Sequence, residues 1–227
     1  MKNTESLNRE DSVIVVEDAV KRYGTQTVLC HVTVSFTRGR IYGIIGRNGS
    51  GKTVLFKSIC GFVTLDSGRI LVRGKQIGRD VDMAQDIGMI IENPGFLPGY
   101  SALRNLKFLA MLKRKIGTEE ICDAIRKVGL DPDSRKMVGK YSMGMRQRLG
   151  IAQAIMEDPD ILILDEPFNG LDKQGVEEMR ELLLEMKGKG KTILLASHNS
   201  EDIRVLCDQV YEMDGGVLER IGNPGQG

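Results

Sequence analysis

Gly46-Arg47-Asn48-Gly49-Ser50-Gly51-Lys52-Thr53 is the stretch on which the fold class turns. It fits the spacing G-x-x-x-x-G-K-[ST], and each residue type in that spacing has a physical task. The glycines let successive backbone N–H groups turn inward around phosphate oxygens. A helix starting at the end of the loop points its positive N-terminal end at the same anion. Lys52 reaches the β- and γ-phosphates, and the Thr53 hydroxyl can ligate Mg²⁺. The flanks agree with this reading. Ile41 to Ile45 is an apolar, β-rich run, and Val54, Leu55, Ser58 and Ile59 follow at helical spacing.

Working outward, a second apolar run, Ile161 to Leu164, goes straight into Asp165 and Glu166. A buried strand that ends in two acids downstream of a phosphate loop suggests a metal ligand and a base. Asp165 would bind Mg²⁺, directly or through water, and Glu166 would polarise an attacking water. Further short strands are expected at Val13–Val16, Val28–Phe36, Arg69–Val72, Ile87–Ile91, Thr192–Ala196 and Gln209–Met213. Between about Ser101 and Met156 the pattern is helical instead. Leu103, Leu106 and Leu109 begin one helix. Thr118, followed by Glu119 and Glu120, is read as the cap of a second that continues through Ile121, Ile125 and Val128. Ser142 is read as the cap of a third, running to about Glu157. Helices are also expected near Lys173–Lys187 and after Asn199. Strands alternating with helices predict an α/β protein with a mostly parallel sheet and a helical insertion.

Composition bounds the class. The 227 residues suit one domain with an inserted lobe, and a formal charge of +1 gives no basic field for nucleic acid. Aromatics are 5% with no Trp, which weighs against single-strand nucleic-acid binding by stacking. Apolar residues at 41% and charged residues at 28% exclude disorder over most of the length. Glycine is abundant, 27 residues without a Gly-X-Y period, as tight turns and close backbone approaches to a ligand require. No run of roughly 18 apolar residues is present to span a membrane, and residues 1–12 read as a polar, flexible tail without the apolar core of a signal peptide. Cys30, Cys60, Cys122 and Cys207 form neither a C-x-x-C pair nor a zinc spacing, so reduced and mostly buried thiols are expected. Lys187-Gly188-Lys189-Gly190-Lys191 is read as a solvated helix end rather than a phosphate contact.

From about residue 13 to 220 the chain resembles the nucleotide-binding subunit of an ATP-binding-cassette (ABC) transporter. The most specific mark is Tyr141-Ser142-Met143-Gly144-Met145-Arg146-Gln147-Arg148, which is similar to the family's signature motif, LSGGQ followed by a basic stretch. Ser142 and Gly144 match. The resemblance implies a P-loop NTPase of the ABC-ATPase fold, with a mostly parallel core, an antiparallel β subdomain and a helical subdomain at about 93–158 inserted into one domain at 13–227. It implies ATP and Mg²⁺ as ligands, and a signature helix that contacts the γ-phosphate held by the opposite subunit. Ser142 as a helix cap fits that role, because a capped helix start is an anion site. Tyr23 corresponds to the aromatic that stacks on adenine. Asn169-Gly170-Leu171-Asp172 resembles the loop that couples the two sites across the dimer. His198 matches the switch histidine on the γ-phosphate, and His31 matches nothing.

Two positions depart from the family pattern. Glu92, in Ile87-Gly88-Met89-Ile90-Ile91-Glu92-Asn93-Pro94, stands where the family usually has Gln. A carboxylate still ligates Mg²⁺, but it adds negative charge beside the triphosphate. Met145 replaces the last Gln of the signature and removes a hydrogen-bonding side chain. Both variants resemble the bacitracin-resistance and lantibiotic-immunity exporters. The expected protein is therefore the peripheral ATPase of an antimicrobial-peptide or drug exporter on the cytoplasmic face of the membrane. It would pair with a second cassette and with a separate transmembrane permease, and would not bind nucleic acid. The rival readings are a soluble ABC-type ATPase of translation or DNA repair, a regulatory cassette that binds ATP without hydrolysis, and a small-molecule P-loop kinase. The first would bring two cassettes or a long coiled coil, and the last leaves the signature and His198 unexplained. Intact Glu166 and His198 argue against the regulatory cassette, while Glu92 and Met145 keep that reading open.

Overall fold

Alternating burial along the second strand shows how the amino-acid pattern is used. In Gln26–Thr37, residues Leu29, Val32, Val34 and Phe36 are buried, while His31 and Thr33 face solvent. The computed structural model describes residues 11–92 and 94–222, so most of the tail expected at 1–12 lies outside the described residues. In chain order the strands are β1 (Ser12–Tyr23), β2 (Gln26–Thr37), β3 (Ile41–Ile45), β4 (Ser67–Val72), β5 (Lys75–Gln76), β6 (Ile87–Ile90), β7 (Ile161–Asp165), β8 (Thr192–Ala196), β9 (Gln209–Asp214) and β10 (Val217–Gly222). The helices are α1 (Lys52–Cys60), α2 (Ala102–Lys113), α3 (Thr118–Lys127), α4 (Met143–Ile155), α5 (Lys173–Gly188) and α6 (Ser200–Leu206).

The chain divides into two compact units, Met1–Gln85 with His198–Gly227, and Asp86–Ser197. In the first, β2, β1, β4 and β5 form an antiparallel sheet in that order. β1 carries a bulge between Val16 and Ala19, with Asp18 left-handed at φ 50°, after which Ala19 and Val20 are both buried. β3 pairs parallel to β9, and β9 pairs antiparallel to β10. β3 is buried from Ile41 to Ile44, which is why it reads as a continuous apolar run rather than an alternating one. Phe36 meets Tyr42 edge-on at 4.9 Å and Tyr211 at 5.8 Å. The Tyr42 hydroxyl accepts from the Thr37 backbone N–H at 2.7 Å, so this buried ring keeps a polar partner.

In the second unit, β6 pairs parallel to β7 and β7 parallel to β8, with Ile87 opposite Ile161 and Ile161 opposite Thr192. Ile161 to Leu164 and Ile193 to Ala196 are fully buried, as parallel strands covered on both faces require. The helical stretch lies in this same unit with the three strands. α3 starts one residue earlier than the Thr118 cap expected from sequence. Gly117 is its cap, and the Glu120 carboxylate accepts from the Gly117 N–H at 3.0 Å. The carboxylate three residues on does the capping, so a side-chain acceptor at the cap position is dispensable. β10 has no counterpart in the sequence reading because it is exposed along most of its length and shows no apolar alternation.

None of the four cysteines is in a disulfide, with Cys60 and Cys207 buried and Cys30 and Cys122 half-buried. Burial pushes the Cys60 thiol up to about 12, from an ordinary 9.0. The folded state therefore holds Cys60 neutral. Its contribution to stability is complete below pH 9 and is lost as pH rises from about 9 towards about 12. Native protein treated with iodoacetamide at mildly alkaline pH should be alkylated at Cys30 and Cys122 and spared at Cys60 until it unfolds. Peptide mass mapping checks this, and native labelling of Cys60 as fast as Cys30 would contradict it.

Candidate nucleotide site

β3 delivers the chain into the loop Gly46–Gly51, and α1 begins at Lys52. Two of the loop glycines have no substitute. Gly46 sits at φ 144°, and a Cβ there would lie 2.2 Å from the Met213 carbonyl oxygen. Gly51, the cap of α1, sits at φ 116°, and its Cβ would lie 2.6 Å from the Val28 carbonyl oxygen. Both the backbone conformation and the space exclude a side chain. Lys52 is 6% exposed, and its ammonium donates to the carbonyls of Gly46 at 2.7 Å and Arg47 at 3.1 Å, so the cation lies folded back over the loop. The Ser50 hydroxyl oxygen is buried and makes no hydrogen bond to the described residues. A buried hydroxyl without a partner is costly, and a phosphate oxygen would satisfy it. The loop thus fits a nucleotide by shape, by charge and by an unfilled donor. Thr53 follows on the first turn of α1, and Arg47, Asn48 and Gly49 form the exposed rim.

Two further residues singled out from sequence lie in the same unit. His198 precedes α6 and faces Asn48, with its Nε2 2.9 Å from the Asn48 Oδ1. The histidine is therefore brought to the rim of the loop, 150 residues along the chain. Tyr23 ends β1, 51% exposed, with the Lys21 ammonium 5.4 Å from its ring centroid. Asp66 anchors this corner by accepting from the Arg22 N–H at 2.6 Å and the Lys21 ammonium at 3.3 Å. The Arg22 N–H bond, aided by Lys21, holds the Asp66 carboxyl below the usual range.

In the second unit β7 runs into Asp165 and Glu166 as the sequence suggests. Glu166 has φ 51°, a left-handed conformation uncommon outside glycine and costing about 1–3 kcal/mol. Three hydrogen bonds hold it there. Its N–H donates to the Ala196 carbonyl at 2.9 Å, and its carbonyl accepts from the Asn169 N–H at 3.3 Å and from the Gln147 side-chain amide at 3.1 Å. Gln147 lies within the signature stretch, and the sequence assigns it no role. The one sign that distinguishes it is that it is a buried polar residue on α4, and burial is not visible in the sequence.

Ser142 caps α4 as expected, with its hydroxyl accepting from the Met145 N–H at 3.2 Å. Gly144 lies against the loop Asn169–Asp172, and a Cβ on it would come 2.8 Å from the Gly170 carbonyl oxygen. Met145 is half-buried, with its sulfur 3.6 Å from the Lys136 ammonium, so a cation stands beside the position where the family has an amide. Asp172 caps α5 by accepting from the Gly175 N–H at 3.1 Å, and Asn169 is exposed. Glu92 follows β6, exposed, at φ 62°. Among the described residues no group of three or more His, Cys, Asp and Glu side chains forms a self-contained metal site.

Comparison with known proteins agrees with this geometry. Residues 29–169 match the family described as ABC transporter. The chain is 44% identical over 207 residues to the Bacillus subtilis "Uncharacterized ABC transporter ATP-binding protein YybJ", covering 91% of this chain and 95% of that protein. It is 38% identical over 213 residues to the "Bacitracin transport ATP-binding protein BcrA" of Bacillus licheniformis, covering 92% of this chain and 70% of that protein. The solved structure of cbiO1 from Clostridium perfringens, described as part of the ABC transporter complex cbiONQ, superposes with a TM-score of 0.79 at 30% identity, covering 94% of this chain and 89% of that one. With its phosphate loop, capped signature helix and strand-end acids accounted for, the chain belongs to the ABC transporter family as an ATP-binding subunit.

Proposed function

We propose that the chain hydrolyses ATP to drive export of an antimicrobial peptide or drug through a separate membrane subunit. The observation that carries the hydrolytic reading is Glu166, held left-handed at the end of a buried strand by three hydrogen bonds to its backbone. Strained backbone that the surroundings actively maintain is characteristic of functional positions. Similarity to the bacitracin transport ATP-binding protein supports the class of cargo.

In this reading residues 13–227 act as one ATP-binding domain with a helical lobe at about 93–158. Lys52 and the amides of Gly46 to Thr53 bind the β- and γ-phosphates, and Tyr23 stacks on adenine. Thr53, Asp165 and Glu92 would hold Mg²⁺, which when bound neutralises phosphate charge. Two cassettes close head to tail, so that Ser142 and Gly144 of one meet the γ-phosphate of the other, and Asn169 and Asp172 couple the two sites. Glu166 takes the proton of a water whose oxygen bonds to the γ-phosphorus as the bond to the β-phosphate oxygen breaks. His198 keeps the γ-phosphate and the water in line. Loss of the γ-phosphate contacts then opens the pair. No helix of the described residues is long and apolar enough to cross a membrane, and the proposed location is peripheral, on the cytoplasmic face.

The test is size-exclusion chromatography of Glu166→Gln with and without Mg-ATP. A nucleotide-dependent dimer supports the head-to-tail mechanism. ATP binding without dimerisation, even with a co-expressed membrane subunit, would favour a regulatory cassette. Glu92 has its own prediction. Glu92→Gln should raise the Mg²⁺ concentration needed for half-maximal turnover several-fold, because an amide is a weaker ligand than a carboxylate. An unchanged Mg²⁺ titration in the assembled transporter would remove Glu92 from the metal set.

A further inference from the structure

We propose that Gln147 is a positioning residue for the hydrolytic base, tying the signature helix to Glu166 of the same cassette. This rests on the reading of Glu166 as the base. Gln147 is 7% exposed on α4, five residues beyond its Ser142 cap, and its side-chain amide donates 3.1 Å to the Glu166 carbonyl. That carbonyl belongs to a residue at φ 51°, whose other backbone bonds reach Ala196 and Asn169. Of the three bonds only the one from Gln147 comes from a side chain, and only it originates on the helix whose start is read as facing the other cassette's nucleotide. One turn earlier on α4, Gly144 lies against the Gly170 carbonyl, in the loop that follows Glu166. The first two turns of α4 therefore grip both ends of the segment 166–170. A shift of the signature helix on meeting a γ-phosphate is passed through the Gln147 amide to the backbone that aims the Glu166 carboxylate. In this way a cassette's own base becomes competent when its signature is occupied. Gln147 is thus a positioning residue, buried and acting through the Glu166 backbone.

Gln147→Met tests the hydrogen bond apart from packing, since it keeps length and volume and removes the donor. All turnover is measured in the assembly in which the wild type hydrolyses ATP, whether the chain alone or with its membrane subunit. Glu166→Gln serves as the control for the base. With that control reduced to its residual rate, Gln147→Met should lower kcat about tenfold and leave the KM for ATP unchanged, the pattern of an interaction that matters only in the transition state. In the Glu166→Gln background, adding Gln147→Met should reduce the residual rate no further, because a residue that acts through Glu166 has nothing left to act on. Gln147→Leu also removes the donor with an apolar side chain of similar volume, so it carries the same expectation should the Met variant be unstable. Wild-type kcat in either variant would overturn the proposal, as would equal losses with and without the Glu166 carboxylate. Undiminished turnover in Glu166→Gln alone would instead bring down the base assignment on which it rests.

Discussion

Glu166→Gln should lower ATP turnover by about 10²–10⁴-fold while leaving ATP affinity nearly unchanged. The substitution is close to isosteric, so its effect is chemical. The three hydrogen bonds that hold residue 166 in place all involve its backbone, through Ala196, Asn169 and Gln147, and an amide side chain leaves them intact. A glutamine amide cannot accept the proton of the attacking water, and the contribution of a positioned general base is lost. Binding energy from the phosphate loop is spent before that step and is untouched. The variant should therefore accumulate the ATP-bound state, with kcat collapsing and KM preserved. Single-turnover phosphate release with equilibrium ATP titration reads both quantities. Loss of ATP affinity in parallel with turnover would mean that the side chain serves binding, and turnover within a few-fold of wild type would mean that another group takes the proton.

What the sequence discloses about this site follows a physical division. The phosphate loop is legible because its requirements are local. Gly46 and Gly51 lie in positive-φ conformations with carbonyl oxygens within 2.6 Å of any added Cβ, so the residue types at those positions are forced. β3 and β8 are legible because strands buried on both faces become unbroken apolar runs, and the structure gives them the bounds read from sequence, Ile41–Ile45 and Thr192–Ala196. The Ser142 cap is legible because it bonds the N–H three residues on, whereas Asp172, read only as part of the coupling loop, is shown to cap α5 by the structure. Other features depend on distant partners. Gln147 meets Glu166 across 19 residues, and nothing in the spacing of the signature reveals that contact. The left-handed backbone of Glu166 is equally silent, since a glutamate there carries none of the glycine signal that marks such positions elsewhere. Gly117 displaces Thr118 as the α3 cap because Glu120 supplies the acceptor, and a reading that looks for a side chain on the cap residue passes over it. β10 is exposed and pairs along one edge with β9, so its burial pattern encodes nothing.

Lys52→Ala should weaken Mg-ATP binding at least 100-fold, since each charge-assisted hydrogen bond from an ammonium to phosphate is worth about 1.5–3 kcal/mol and two are lost. The lysine is 6% exposed, and its ammonium is already satisfied by the Gly46 and Arg47 carbonyls at 2.7 and 3.1 Å. Binding must exchange those neutral acceptors for charged ones in the same place, so the cation is pre-organised and little side-chain entropy remains to be lost. Removing it costs the fold less than it costs the ligand, because Arg47 lies at the exposed rim and Gly46 is only half-buried, which lets water replace the ammonium at both carbonyls. The unfolding midpoint should thus fall modestly while nucleotide affinity falls steeply. ADP separates this effect from a collapsed loop. A lysine that reaches both the β- and γ-phosphates loses one partner with ADP and two with ATP, so the variant should discriminate against ATP more strongly than against ADP. Lys52→Arg should not restore ATP binding, because a planar guanidinium cannot adopt the end-on geometry of an ammonium folded back over the loop. Calorimetric titration of ATP and ADP into the wild type and both variants reads these differences directly. Equal losses for the two nucleotides would assign Lys52 to the shape of the loop rather than to the γ-phosphate, and unchanged ATP affinity would remove it from the site.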